Sequence, residues 1–215
     1  MINFSDYRNN NTYLTEQKLA KFLSERIDPN IIHNQPINNT RTKPDFRSEK
    51  FKIIIQFDGF RHYSDPKQIL KDMQDNTLFL SLNYQIIRIP YFIQLDELII
   101  YKLFGNYTNN IASLSNFPHG FVSNKALLPA NFCELGLARF LHELEFYSEI
   151  KETIINSLAI FALEKKEWAL IIPPSIKYLF DNNFILSTNM PITETISELF
   201  RYHYFHDKTK VETHH

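Results

Sequence analysis

Two short stretches hold the residues best suited to chemistry: Asp45 in Pro44-Asp45-Phe46, and Gln56 and Asp58 at the end of Phe51-Lys52-Ile53-Ile54-Ile55-Gln56-Phe57-Asp58-Gly59. Side chains alternate across a strand, so Ile54, Gln56 and Asp58 share one face, and Ile53, Ile55 and Phe57 the other. An apolar strand that ends on two polar residues of one face delivers them to a sheet edge or a cleft. Asp45 lies on the preceding strand, and a short hairpin returns it close to Gln56. Two carboxylates and an amide oxygen then converge, an all-oxygen donor set that suits a hard cation, Mg²⁺ rather than Zn²⁺. Such a cation coordinates a scissile phosphate and activates a water to attack it. A solvated hairpin with ordinary polar residues fits the same spacing, because acids near turns are common.

The elements that must position these residues are legible in the periodicity. Leu19, Phe22, Leu23 and Ile27 fall at helical spacing, and Thr15 stands ready to cap, which predicts a helix over residues 15–27. A short strand follows over 31–37, then a polar turn, then strands over 44–47 and 51–58. Ser64-Asp65-Pro66 starts a helix that carries Ile69, Leu70, Met73 and Leu78 and stops near Asn83. Residues 84–90 read as a strand and 95–104 as a helix. The order helix, strand, strand, strand, helix, strand predicts an α/β fold with a mixed β-sheet flanked by helices.

The polar stretch 105–116 is the candidate linker. Beyond it the expectation is mainly helical. One helix is capped by Asn131 and carries Phe132, Leu135, Phe140, Leu141 and Leu144. A second places Ile150, Ile154, Leu158 and Phe161 on one face. A strand over 168–172 and a last amphipathic helix over 193–205 complete the chain. The division expected is therefore 1–110 for the α/β core and 111–215 for a C-terminal helical region.

The motif order adds a resemblance. Pro44-Asp45, then Gln56, Asp58-Gly59 and His62, with Glu16 in the first helix, Lys71-Asp72 opening a later one and Leu80 to Arg88 leading into the last strand, resembles the PD-(D/E)xK nuclease superfamily. It looks most like the very-short-patch-repair and restriction-like endonuclease branch, over about residues 12–92. The sequence departs from the pattern twice. Gln56 stands where the superfamily usually has an acid, and Asp58 where it has a lysine. The resemblance implies a restriction-endonuclease-like core and a Mg²⁺-dependent endonuclease, Mn²⁺ substituting, that cuts double-stranded DNA, in restriction or antiphage defence. It implies that Asp45 and Gln56 hold the metal with Glu16 and the Phe57 carbonyl, and that Asp58 or His62 orients or deprotonates the attacking water. Arg61, Lys71 and Arg88 would contact the nucleic acid, and the C-terminal half would recognise substrate or form a homodimer. Two other readings stay open: a repair-type nicking nuclease, and a catalytically inactive nucleic-acid-binding or interaction module on a nuclease fold.

Each residue also has a structural reading. Glu16 sits where an acid favours the helix dipole, Arg88 could form an internal ion pair, and Lys71, Asp72, His142, Glu143 and Glu145 could be solvated helix faces. Arg139 and Lys151 could touch nucleic acid, and the aromatic run 200–206 could stack on bases. Composition narrows the classes further. A net charge of −1 gives no broad basic field, so any nucleic-acid groove must be local. Four glycines in 215 residues argue against a Gly-rich phosphate loop. A single cysteine, Cys133, excludes an internal disulfide and a Cys-based zinc site. No apolar run reaches membrane-spanning length and the first residues do not read as a secretory signal, so no membrane partner and a cytoplasmic location are expected.

Overall fold

A computed structural model describes residues 13–37, 40–115, 117–121, 127–165 and 170–180, with the backbone alone at 163–165 and 178–180. Four strands form one mixed sheet: β1 (Ile32–His33), β2 (Phe46–Ser48), β3 (Ile53–Asp58) and β4 (Gln85–Pro90), in that spatial order. β1 and β2 are antiparallel, as are β2 and β3, with Phe46 opposite Ile55; β3 and β4 are parallel, with Gln56 opposite Arg88. Six α-helices lie among the described residues: α1 (Glu16–Arg26), α2 (Arg61–Ser64), α3 (Pro66–Ser81), α4 (Glu97–Phe104), α5 (Glu134–Phe146) and α6 (Lys151–Lys165). The α/β class and the mixed sheet with flanking helices are as the sequence predicts.

Local chemistry sets the helix ends. Thr15 Oγ1 accepts from the Lys18 N–H (3.2 Å) at the start of α1. Asp65 Oδ1 accepts from the Lys67 N–H (3.0 Å), with Pro66 at the first helical position of α3, where its missing N–H costs nothing. Asn83, at φ 62°, turns the chain out of α3 into β4, a left-handed position that asparagine tolerates. The parallel β3–β4 pair needs a crossover, and α2 and α3 provide it. That crossover is what brings charged residues of two helices over the end of β3.

Both faces of β3 are covered. Ile53 and Ile55 join a large apolar cluster with Leu19, Phe22 and Leu23 of α1, Ile99 and Phe104 of α4, and Phe140 and Leu144 of α5. Ile54 points the other way, to Phe79 of α3, Ile37 and Tyr84. Burial of this kind stabilises by roughly 25 cal/mol per Å² of apolar surface, which fixes the register of the strand.

Several sequence expectations shift. The strand expected over 31–37 shrinks to two residues. The described part of the expected linker, 105–115, is laid along the core rather than acting as a spacer: Tyr107, Ile111 and Leu114 pack against it, and the Tyr107 hydroxyl donates to Gln85 Oε1 (2.8 Å). The large cluster also runs on to Phe161 and Ile176, so residue 110 does not separate two cores. α5 is capped by Cys133, whose Sγ accepts from the Gly136 N–H; Asn131 closes a preceding 3₁₀ turn instead. Residues 170–172 form a turn rather than a strand. The rest of that expected strand, the helix over 193–205 and the aromatic run 200–206 lie outside the described residues. No helix is long and apolar enough to cross a membrane among the described residues.

Candidate metal and catalytic site

The hairpin returns Asp45 to Gln56 by an exchange of side-chain bonds. Where the β2–β3 ladder would continue past Phe46 and Ile55, Gln56 Oε1 accepts from the Asp45 N–H (2.9 Å) and Asp45 Oδ2 accepts from the Phe57 N–H (2.8 Å). Each side chain thus completes the other strand's backbone bonding and is held in place by it. Asp45 is half-buried. Burial raises its carboxyl from the ordinary 3.8 to about 6; the Phe57 N–H opposes this, Asp58 and Glu16 add to it, and His62 opposes it. Among the described residues no lysine or arginine pairs with it. Glu16 is exposed and bonded to His33, with 2.9 Å between Oε1 and Nε2.

Asp58 has a different environment. It is fully buried, and both of its oxygens are taken. Arg88 Nη1 donates to Oδ1 (2.6 Å), His62 Nδ1 lies 3.2 Å from the same oxygen, and Arg139 Nη2 donates to Oδ2. Burial alone would raise this carboxyl; Arg139, Arg88 and His62 together hold it well below the usual carboxylate range. The network continues through Asp72, whose Oδ2 lies 2.6 Å from His62 Nδ1 and 3.2 Å from Arg139 Nη1, while Oδ1 accepts from Gln68 Nε2 (2.9 Å). Arg139 Nε donates to Glu143 Oε1 (2.8 Å), and the Tyr63 hydroxyl to Glu143 Oε2 (2.7 Å). Burial pushes the Glu143 carboxyl up despite those partners.

These positions correct several expectations. Arg88 is buried, bonded to Asp58 and, through Nε and Nη2, to Asn76 Oδ1 at 3.3 and 2.9 Å, so it cannot reach a phosphate; the ion-pair reading is the one realised. Asp58 lies in the interior rather than in a cleft with Asp45 and Gln56. Arg139, Glu143 and Asp72 are buried in the network instead of solvated or touching nucleic acid. His142 is buried too. Arg61 and Lys71 are exposed, each paired four residues on, with Asp65 (3.1 Å) and Asp75 (2.9 Å). Glu145 is exposed and pairs with Lys151.

Asp58, His62 and Asp72 each place one donor atom within 4.8 Å of the others, a spacing compatible with one metal ion. Two guanidinium groups already occupy the oxygens of that cluster, and their charge disfavours a dication there. The donor set at Asp45 fits a hard cation better: a carboxylate whose charged form burial disfavours and which no lysine or arginine offsets among the described residues, the amide oxygen of Gln56 bonded to its backbone N–H, and a second acid, Glu16, close enough to raise it further. Sequence reasoning missed the partnership of Asp58 with Arg139, 81 residues apart. The available signal was only that Arg139 sits one helical turn after Leu135 and next to Phe140, where a charge needs an internal partner.

No protein family, curated protein or solved structure matches this sequence.

Proposed function

We propose that this protein is a Mg²⁺-dependent endonuclease that hydrolyses phosphodiester bonds in DNA. The observation that carries the reading is Asp45, a carboxylate raised to about 6 beside an amide oxygen, with no cationic side chain paired to it among the described residues. The order of the strands and helices and the PD-(D/E)xK-like motif order around Asp45, Gln56 and His62 support it. Asp45 and Gln56, with Glu16 and the Phe57 carbonyl, would hold the ion. When bound, it supplies a Lewis acid for the phosphoryl oxygens and lowers the pKa of a water.

The protein's own residues have separable tasks. The Asp45–Phe57 and Gln56–Asp45 bonds fix the two donors rigidly before any ligand arrives. In its neutral form His62 carries its hydrogen on Nδ1, which faces the anionic carboxylates of Asp72 and Asp58, and keeps the lone pair on Nε2. Nε2 is then the atom that accepts the proton of the attacking water. Arg61 and Lys71, on the exposed sides of α2 and α3, contact the phosphate backbone. A role in restriction or defence, with a homodimer making paired cuts, extends the reading by analogy.

Plasmid cleavage with Mg²⁺ or Mn²⁺ tests this. Wild type cuts and Asp45→Ala does not; cutting that survives Asp45→Ala overturns the mechanism. Nicked product favours a repair-type enzyme and linear product a paired cut. One observation supports a second reading, a catalytically inactive nucleic-acid-binding module: Asp58, at the superfamily's lysine position, is locked to two arginines. DNA binding without cutting by wild type would favour it.

A further inference from the structure

One heavily bonded side chain near the candidate site comes from the C-terminal half. Arg139 projects from α5, and one guanidinium reaches three groups around His62. Its Nη1 donates to the His62 backbone carbonyl (3.2 Å) and to Asp72 Oδ2 (3.2 Å), the oxygen that also meets His62 Nδ1, while its Nη2 donates to Asp58 Oδ2. Nε is anchored on Glu143, and the guanidinium lies 4.7 Å from the centroid of the Tyr63 ring.

The packing that brings α5 here is specific. The Cys133 N–H donates to the Tyr63 carbonyl (3.0 Å), which seats the start of α5 on α2. At Gly136 an added Cβ would fall 1.7 Å from the Tyr63 carbonyl oxygen, so only glycine allows this approach. Arg139 follows one turn later on the same face, which points its guanidinium at the α2–α3 corner.

We propose that Arg139 is a positioning residue of the site: it holds Asp58 and Asp72 against His62 Nδ1 and clamps the His62 backbone, which fixes the imidazole as its Nδ1–H tautomer and leaves Nε2 as the free base. The consequence for the reaction rests on the nuclease reading; the tautomer does not. α5 is on this account a working part of the site, and the C-terminal half does more than recognise substrate or pair protomers. A bidentate fork is required, because a lysine keeps the charge but cannot bond two carboxylates and a carbonyl in one plane.

The test uses the full chain and three variants: R139K, R139M, and R139M with E143Q. In the last of these the side-chain amide oxygen at position 143 still accepts from Tyr63, and the charge of Glu143 is removed together with that of Arg139. Long-range ¹⁵N–¹H NMR correlations of His62 in its neutral form read the tautomer directly. Wild type is expected to show Nδ1–H alone, with the Nε2–H form appearing in every folded variant and least in R139K. R139K decides the matter if the methionine variants do not fold. An unchanged tautomer in a folded variant overturns the proposal, as that is what a purely structural role predicts. In the cleavage assay kcat of R139K should fall about tenfold to a hundredfold at little change in KM; an unchanged kcat in an active enzyme overturns it as well. A wild type that never cuts DNA sinks the nuclease reading alone, since the tautomer still decides what Arg139 does.

Discussion

Asp45 and Asp58 are the same residue type at the ends of neighbouring strands, and their surroundings make them opposites. Asp45 is half-buried, receives one backbone N–H and has no cationic partner among the described residues, so its carboxyl is raised to about 6. Asp58 is completely buried, yet Arg139, Arg88 and His62 hold it far below the usual range. Burial alone disfavours the charged form at both positions; nearby positive charge decides the outcome. Asp45 has no such partner among the described residues, and on the proposed reading a bound cation takes that place. Asp58 has its cationic partners within the protein and serves to join β3, α2, α3, β4 and α5.

The same change, Asp to Asn, should therefore act with opposite sign at the two positions. Asp58→Asn leaves two guanidinium groups in the interior without their shared anion, and should destabilise by about 3–5 kcal/mol in urea unfolding. A near-neutral result would show that the network does not depend on this pairing. The wild-type contribution of Asp58 is present above the ordinary aspartate pKa and is lost as pH falls below about 4, because its folded pKa is depressed. Saturating Mg²⁺ comes next. At a hundred times its Kd it should stabilise wild type by about 2.7 kcal/mol and leave Asp45→Asn unchanged. An equal shift in both proteins would move the metal away from Asp45.

Asp45→Asn itself should stabilise the metal-free protein at pH 8 by about 1–2 kcal/mol, after discounting the raised pKa for partial exposure. The sign follows from linkage: the folded state holds this proton more tightly than the unfolded chain, so wild type loses stability as pH rises from about 4 through 6. The gain should vanish at about pH 3, where both states carry the proton, and a gain that persists there would refute its electrostatic origin. The smallest effect belongs to Lys71→Ala on the exposed face of α3. Its stability change should stay within about 0.5 kcal/mol, whereas a phosphate contact would lower the salt slope of DNA affinity by about one.

Much of the framework can be read from the chain. The Thr15 and Asp65-Pro66 caps place α1 and α3 within a residue or two, and the alternation in 53–58 gives the faces of β3. The Asp45–Gln56 approach follows from a short hairpin. The clustering of charge at the end of β3 does not follow. Arg88 reads equally as a phosphate contact or an ion pair. Asp72, Arg139 and Glu143 look like the polar side of amphipathic helices, because local spacing reports which residues share a face but not what that face meets.

The α/β class, the helix starts, the strand that carries Gln56 and Asp58, and the pairing of Asp45 with Gln56 are already legible in the chain, since each rests on periodicity, capping or contacts within a few residues of a turn. Tertiary packing makes the choice by which Asp58 is locked away while Asp45, among the described residues, is left without a cationic partner. That choice depends on a guanidinium 81 positions along the chain from Asp58. It reaches Asp58 because α5 comes close enough at Gly136 to touch the backbone of α2. Electrostatic roles are set by such distances through space, and no local pattern encodes them.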